Sequence, residues 1–403
     1  MNKTRTLAAV GILVLCAGTN PLLAQQKKTP ALDRRVQPPP GPRPALRVPE
    51  RTRTTLANGA ELFVAERHEL PLVAFNLSFI GGAHQFEPIG KQGLASFTAS
   101  MLSEGTTSRT GDQISDELQL LGTSVSVSIG GESGRMSFVT TRDKLEPVLK
   151  IMTDLLLHPA FPSEALERLR ARTLVGMQQA KDRTEAIAGR VFPRVLYGDI
   201  HPYGRMMTEQ SIPRITREDL IAFHREYFRP GRAVITVVGD VEPSAVRSFV
   251  ERTLADWPHG GTRPAFEYPS TGTQRDTRIY LVDKPGAEQS TVYVGLAGPP
   301  RYTPDYHALQ VMNTILGGMF GSRLNLNLRE RKGITYGAGS GFAYGRGPGA
   351  FRAGADIVTE QTHTGLVEIM REIRGVRGEI PLTDEEVATA KASLIQSLPS
   401  VFE

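Results

Sequence analysis

The 403-residue chain has 40% hydrophobic and 22% charged residues, with 47 Lys and Arg against 42 Asp and Glu for a formal net charge of +5. That length allows two or three domains with a sizeable core, and the composition is that of a globular protein. The charge falls to +3 without Lys3 and Arg5, too mild a balance to imply a nucleic-acid partner.

Lys3 and Arg5 precede an apolar run from Leu7 to Gly18, and the stretch closes at Leu22-Leu23-Ala24 before Gln25. This is the layout of a secretory signal peptide over residues 1–24, and the run is too short to span a bilayer. Leu22 is larger than the small residue expected three positions before a cut after Ala24. Lipidation at Cys16 is the competing reading, weakened by the bulky Leu15 before it. Cys16 is the only cysteine, so an exported mature chain, periplasmic or secreted, would have no disulfide and no thiol chemistry. Residues 25–50, rich in proline and basic side chains, read as an extended tether.

The first globular unit is expected over residues 51–258. Thr55-Leu56-Ala57-Asn58-Gly59 is a turn leading into a strand at Ala60 to Ala65, and Leu72 to Ile80 is a stronger strand. Gly93 to Leu102 reads as a helix with Leu94, Phe97 and Met101 on one face, and Asp112 to Leu121 as another ending at Gly122. Val125 to Ile129 and Met136 to Thr140 alternate as paired strands. Helices follow at Lys144 to Leu157, Pro162 to Asp182, Glu185 to Tyr197 and Arg217 to Phe228. A buried strand at Ala233 to Val238 and a helix at Pro243 to Trp257 complete the unit. Residues 259–276 are the boundary, and 277–403 form a second unit.

The second unit repeats the order of the first. Leu77 in PLVAFNLSF corresponds to Leu296 in STVYVGLAG, Met152 in LEPVLKIM to Met370 in GLVEIM, and Ser163 to Thr383. The near-constant offset argues for internal duplication. The fold expected is α+β: two copies of a mixed α/β domain, each an antiparallel-rich sheet packed with helices, the second copy lacking its last elements.

Gly317 to Tyr336, GGMFGSRLNLNLRERKGITY, concentrates glycines, basic residues and a tyrosine. Ser322 can cap a helix whose last turn holds Arg329, Arg331 and Lys332, with Gly333 as its stop. The alternation from Leu324 to Leu328 would also suit a strand, so the helix rests on its cap and stop signals. Arg329 and Tyr336 could converge on a carbonyl oxygen as paired donors, or simply form a solvated basic helix end.

Taken in order, TLANGAELFVAERHELPLV, GGAHQFEPIGKQGLASFTASMLSEGT, His201-Pro202-Tyr203-Gly204, YFRPGRAVITVVGDV and the Gly317–Tyr336 stretch resemble the pitrilysin or insulinase-type (inverzincin) metallopeptidases, which include the mitochondrial processing peptidase. The resemblance covers about Thr54 to Phe402. Active members carry H-x-x-E-H on the helix matching Gly93 to Leu102, two imidazoles for Zn²⁺ and a glutamate base. Here Ser96 and Ser100 take the imidazole positions and Ala99 the base. The third ligand, a glutamate near Leu174 to Met177, is also missing, since Arg168 to Lys181 contains no carboxylate. No two of the eight histidines fall four apart.

The family also draws an Arg and a Tyr, seven residues apart, from the second domain to hold substrate and stabilise the oxyanion. Arg329 and Tyr336 have that spacing, and Gly317, Gly318 and Gly321 match the glycine-rich run ahead of them. The resemblance therefore implies a subunit that binds no metal and lacks activity alone. Zinc would reside on a paralogous partner, and the substrate would be a peptide or unfolded segment held as an added strand. The alternative is a non-enzymatic scaffold or peptide-binding protein that retains only the fold.

Overall fold

The structure is a computed structural model that describes residues 48–271 and 276–401. The expected leader and all but the last residues of the tether lie outside the described residues.

The first half opens with β1 (Thr52–Thr55), β2 (Glu61–Glu66) and β3 (Leu72–Ile80), then α1 (Ala83–Phe86), α2 (Leu94–Met101) and α3 (Gly111–Leu120). The hairpin of β4 (Ser126–Ile129) and β5 (Ser133–Thr141) leads to α4 (Leu145–Leu157), α5 (Ser163–Ala180), α6 (Thr184–Tyr197) and α7 (Arg217–Tyr227). The half ends with β6 (Ala233–Gly239) and α8 (Pro243–Thr253), which stops short of the Trp257 expected from the sequence. The six strands lie in the order β1-β2-β6-β3-β5-β4. Only β2 and β6 pair in parallel; the other neighbours are antiparallel.

Alternation explains the layering. Val73, Phe75, Leu77 and Phe79 on β3 and Ala233, Ile235 and Val237 on β6 are all buried on the helix-covered face. Phe79 meets Trp257 and Phe228 edge-on, the geometry that aromatic quadrupoles favour. Trp257 Nε1 donates to the Phe228 carbonyl at 3.0 Å, so its polar atom is satisfied inside the core.

The second half contains β7 (Gln289–Ala297), α9 (Tyr306–Asn313), α10 (Arg323–Asn325), β8 (Thr335–Phe342), β9 (Ala350–Val358), α11 (Thr362–Arg374) and α12 (Asp384–Ser397). Its sheet runs β7-β9-β8, antiparallel throughout. A separate, smaller core gathers Leu316, Leu324, Leu328, Phe351, Ile357 and Ile369. The order from β7 to α12 follows that from β3 to α5, with Met370 on α11 and Thr383 capping α12 through the Glu386 amide. Leu296 is 56% exposed where Leu77 is fully buried. The two therefore correspond in chain order and not in environment.

The halves meet along one seam. On α6, Thr184 contacts Thr291 at 3.0 Å and Phe192 lies edge-on to Tyr293, both on β7. At the end of α6, the Tyr197 hydroxyl donates to the Pro348 carbonyl at 2.9 Å.

Candidate functional site

The helix expected to carry the metal motif is α2, and its N-terminus is held by Glu87. That carboxylate accepts from the Gly93 and Ala95 amides at 3.0 and 2.8 Å, supplying partners that a helix end otherwise lacks. Burial raises its pKa to about 7, outweighing the two backbone donors. Leu94, Phe97 and Met101 face the core as expected.

The residues at the motif positions do not fit a zinc ion. The Ser96 hydroxyl donates to the Gly93 carbonyl at 2.9 Å. Ala99 is 4% exposed and forms part of the apolar core, while Ser100 is exposed. On α5, Leu174 and Met177 pack against that core where a third carboxylate would be needed. A hydroxyl turned onto its own helix, a methyl and two apolar side chains offer no set of N, S or anionic O donors. Elsewhere among the described residues, Glu66, His68 and Glu242 bring ligand atoms within 4.8 Å of one another, all exposed. His68 is already paired with Asp240 at 2.7 Å.

The Gly317–Tyr336 stretch is more irregular than a single capped helix. A π-helical turn, Thr314–Gly318, follows α9; after Ser322 comes α10, a three-residue helical turn that widens into a second π-helical segment, Leu326–Arg331. Ser322 occupies the cap position but its side chain makes no capping bond. It is fully buried with its hydroxyl unpartnered, so the expected cap is corrected. Gly333, at φ +63°, is the expected stop, a left-handed conformation that glycine adopts without a Cβ clash.

Beneath this segment, Asn327 Nδ2 donates to Glu368 and Glu372 on α11 at 2.9 and 2.7 Å. Lys332 pairs with Glu368 at 3.0 Å. The hydrogen bond from Asn327 and the Lys332 ammonium hold the Glu368 carboxyl below its ordinary range. These contacts fix the segment carrying Arg329 to the second core.

Arg329 and Tyr336 are brought together. The Arg329 guanidinium carbon lies 5.3 Å from the Tyr336 ring centroid and 4.5 Å from that of Phe320, within cation–π range of both. Tyr336 is 87% exposed. Among the described residues, Arg329 makes one ion contact, to Glu330 at 3.5 Å. The exposed Tyr336 thus stands beside a partly buried Arg329.

The three glycines differ. A Cβ on Gly317 would lie 2.3 Å from the Ser340 amide nitrogen, so glycine is required where the π-helical turn meets β8. Gly318 abuts Asn313, and a Cβ on Gly321 would meet nothing within 4 Å. Gly317→Ala should cost about 1–3 kcal/mol, as overpacking against backbone does, whereas Gly321→Ala should change urea stability by less than about 0.5 kcal/mol. Equal midpoints for the two would contradict the close approach.

The histidine tetrapeptide forms a turn, Pro202–Gly204, capped by His201, whose Nδ1 accepts from the Tyr203 amide at 3.1 Å. The Tyr203 and Tyr268 hydroxyls donate to Glu132, in the β4–β5 turn, which also accepts from the Arg346 amide at 3.1–3.2 Å. One carboxylate thus ties together both halves and the segment between them. Sequence reading singled out the tetrapeptide but neither Glu132, an isolated acid after two glycines, nor Tyr268 or Phe320; no spacing rule links such residues.

The fold is mixed α/β, with helices packed on two sheets. Residues 65–197 match the family model described as insulinase (peptidase family M16), and residues 214–394 match the peptidase M16 inactive domain. The chain belongs to the M16, or insulinase, family. It is 28% identical to an uncharacterized zinc protease of Mycobacterium leprae over 85% of this chain and 77% of that protein. It is 24% identical to the non-peptidase homolog YmxG of Helicobacter pylori, over 83% and 76% of the two chains. A peptidase M16 inactive domain from Pseudomonas fluorescens superposes with a TM-score of 0.75 at 27% identity, covering 86% of this chain and 84% of that one. Among the described residues, no helix is long and apolar enough to cross a membrane.

Proposed function

We propose that this chain is the zinc-free, substrate-binding subunit of an exported two-chain metallopeptidase, with Arg329 and Tyr336 donated to the cleft of a zinc-bearing paralogous partner. The observation that carries this reading is the contrast between the two half-sites. Ser96, Ala99 and Ser100 offer no ligand set, while the partly buried Arg329 guanidinium carbon lies 5.3 Å from the ring centroid of the exposed Tyr336. The partner's metal would polarise the scissile carbonyl and activate water. Arg329 and Tyr336 would donate hydrogen bonds to the substrate carbonyl as it gains negative charge, worth most once water is excluded. The peptide would lie extended, its backbone paired as an added strand.

Co-expression with a zinc-bearing M16 peptidase tests this. The pair should cleave peptides, and Arg329→Ala or Tyr336→Phe should each lower kcat by about 10²-fold, the usual cost of removing an oxyanion donor. Unchanged rates in both variants would remove the proposed role. The non-peptidase name of the H. pylori relative favours a second reading, a peptide-binding scaffold. Peptide binding with no cleavage in any pairing would support it.

A further inference from the structure

Tyr336, 87% exposed, lies within an irregularity in β8. The pairing with β9 passes from Thr335 opposite Ile357 to Ala338 opposite Ala355, so one extra residue is accommodated on β8. Such a bulge re-aims side chains relative to regular alternation. The buried Thr335 closes it: its Oγ1 donates to the Gly337 carbonyl at 2.9 Å and accepts from the Gly337 amide at 3.2 Å. Both polar groups of the residue after Tyr336 are thereby engaged by one hydroxyl.

A second buried side chain works from the other flank. Asn325 is 4% exposed. Its Nδ2 donates to the Phe320 carbonyl at 2.8 Å, and its Oδ1 accepts from the Ala338 amide at 3.2 Å. One amide therefore ties the loop carrying Phe320 to the strand just past Tyr336, and Arg329 lies between those two rings in sequence and within cation–π range of both.

We propose that Asn325 and Thr335 are positioning residues that hold Phe320 and Tyr336 against the Arg329 guanidinium, so that the site is a preassembled three-residue clamp with Phe320 as its added apolar member. The functional weight of this rests on the reading of Arg329 and Tyr336 as substrate-binding. An arginine is rich in rotamers, and ordering it before the ligand arrives lowers the entropy lost on binding. Phe320, 67% exposed, gives the clamp an apolar surface beside the donors.

The experiment reads Arg329 directly in the full-length purified chain. Phenylglyoxal modification is followed by mass mapping, with the exposed Arg331 as internal reference. In the wild type, Arg329 should react several-fold more slowly than Arg331. Thr335→Val, nearly isosteric but without the hydroxyl, and Asn325→Ala should raise the Arg329 rate to that of Arg331, while Thr335→Ser should restore protection. Phe320→Ala, which removes an exposed ring and leaves the core intact, should raise it as well and covers the case in which a buried variant fails to fold. An unchanged ratio in both Phe320→Ala and Thr335→Val would overturn the proposal. No partner or substrate enters this assay, so its failure is distinct from failure of the co-expressed pair to depend on Arg329.

Discussion

Ala99→Glu, which places an acid at the position that the resemblance aligns with the family's base, is expected to destabilise the protein by about 3–5 kcal/mol, the cost typical of an uncompensated buried charge. Ala99 is 4% exposed and sits in the first core. α5 turns Leu174 and Met177 toward the same core. A glutamate there must either desolvate its charge, take up a proton or push the helix out. Ser100→Glu, on the exposed side of the same helix, should shift stability by no more than about 0.5 kcal/mol. Urea unfolding at neutral pH separates the two, and matching midpoints would show that this face of α2 tolerates a buried charge. The consequence for function is that the motif cannot be rebuilt one residue at a time.

Glu132→Ala should cost about 3 kcal/mol. It removes the shared acceptor of two tyrosine hydroxyls and one backbone amide, and hydrogen bonds to a charged group are worth about 1.5–3 kcal/mol each before solvent exposure reduces them. The loss should be local as well as global. Hydrogen exchange of the Arg346 and Gly347 amides should accelerate ahead of exchange in β3 and β6, because the Gly347 amide donates to the Tyr203 hydroxyl that Glu132 holds.

The same group sets a pH dependence. Burial pushes the Glu132 pKa up, but hydrogen bonds from Tyr203, Tyr268 and the Arg346 amide outweigh it, and the net value lies below the ordinary 4.5. A carboxyl with a lowered folded pKa contributes stability that is present above its unfolded pKa and lost as pH falls through the folded one. The wild-type advantage over Glu132→Ala should therefore hold from neutral pH down to about 4.5 and shrink below it. An advantage that stays constant down to pH 3 would exclude the carboxylate as its source.

Much of this protein was legible from its residues. Alternating burial marks β3 at the expected Leu72–Ile80, and α2 presents Leu94, Phe97 and Met101 as its period requires. That Ser96, Ala99 and Ser100 carry hydroxyls and a methyl in place of imidazoles and a carboxylate is plain from the residue types alone. Local order of this kind is set by periodicities of two and 3.6 residues, which the chain carries in itself.

Contacts between distant segments carry no such signature. Ser322 has the identity of a cap, yet packing buries it and its hydroxyl goes unpartnered, because tertiary burial outweighs local propensity. Glu132 is one acid in a glycine turn until the tetrapeptide, Tyr268 and Arg346 converge on it. The sequence by itself determined the strands and helices, the family and the spacing of Arg329 and Tyr336. Only the tertiary structure decided that β8 takes an extra residue beside the exposed Tyr336 and that Asn325 bonds the Phe320 carbonyl from the other flank. A bulge and a buried amide depend on what lies across the sheet and behind the loop, and chain order does not encode those neighbours locally.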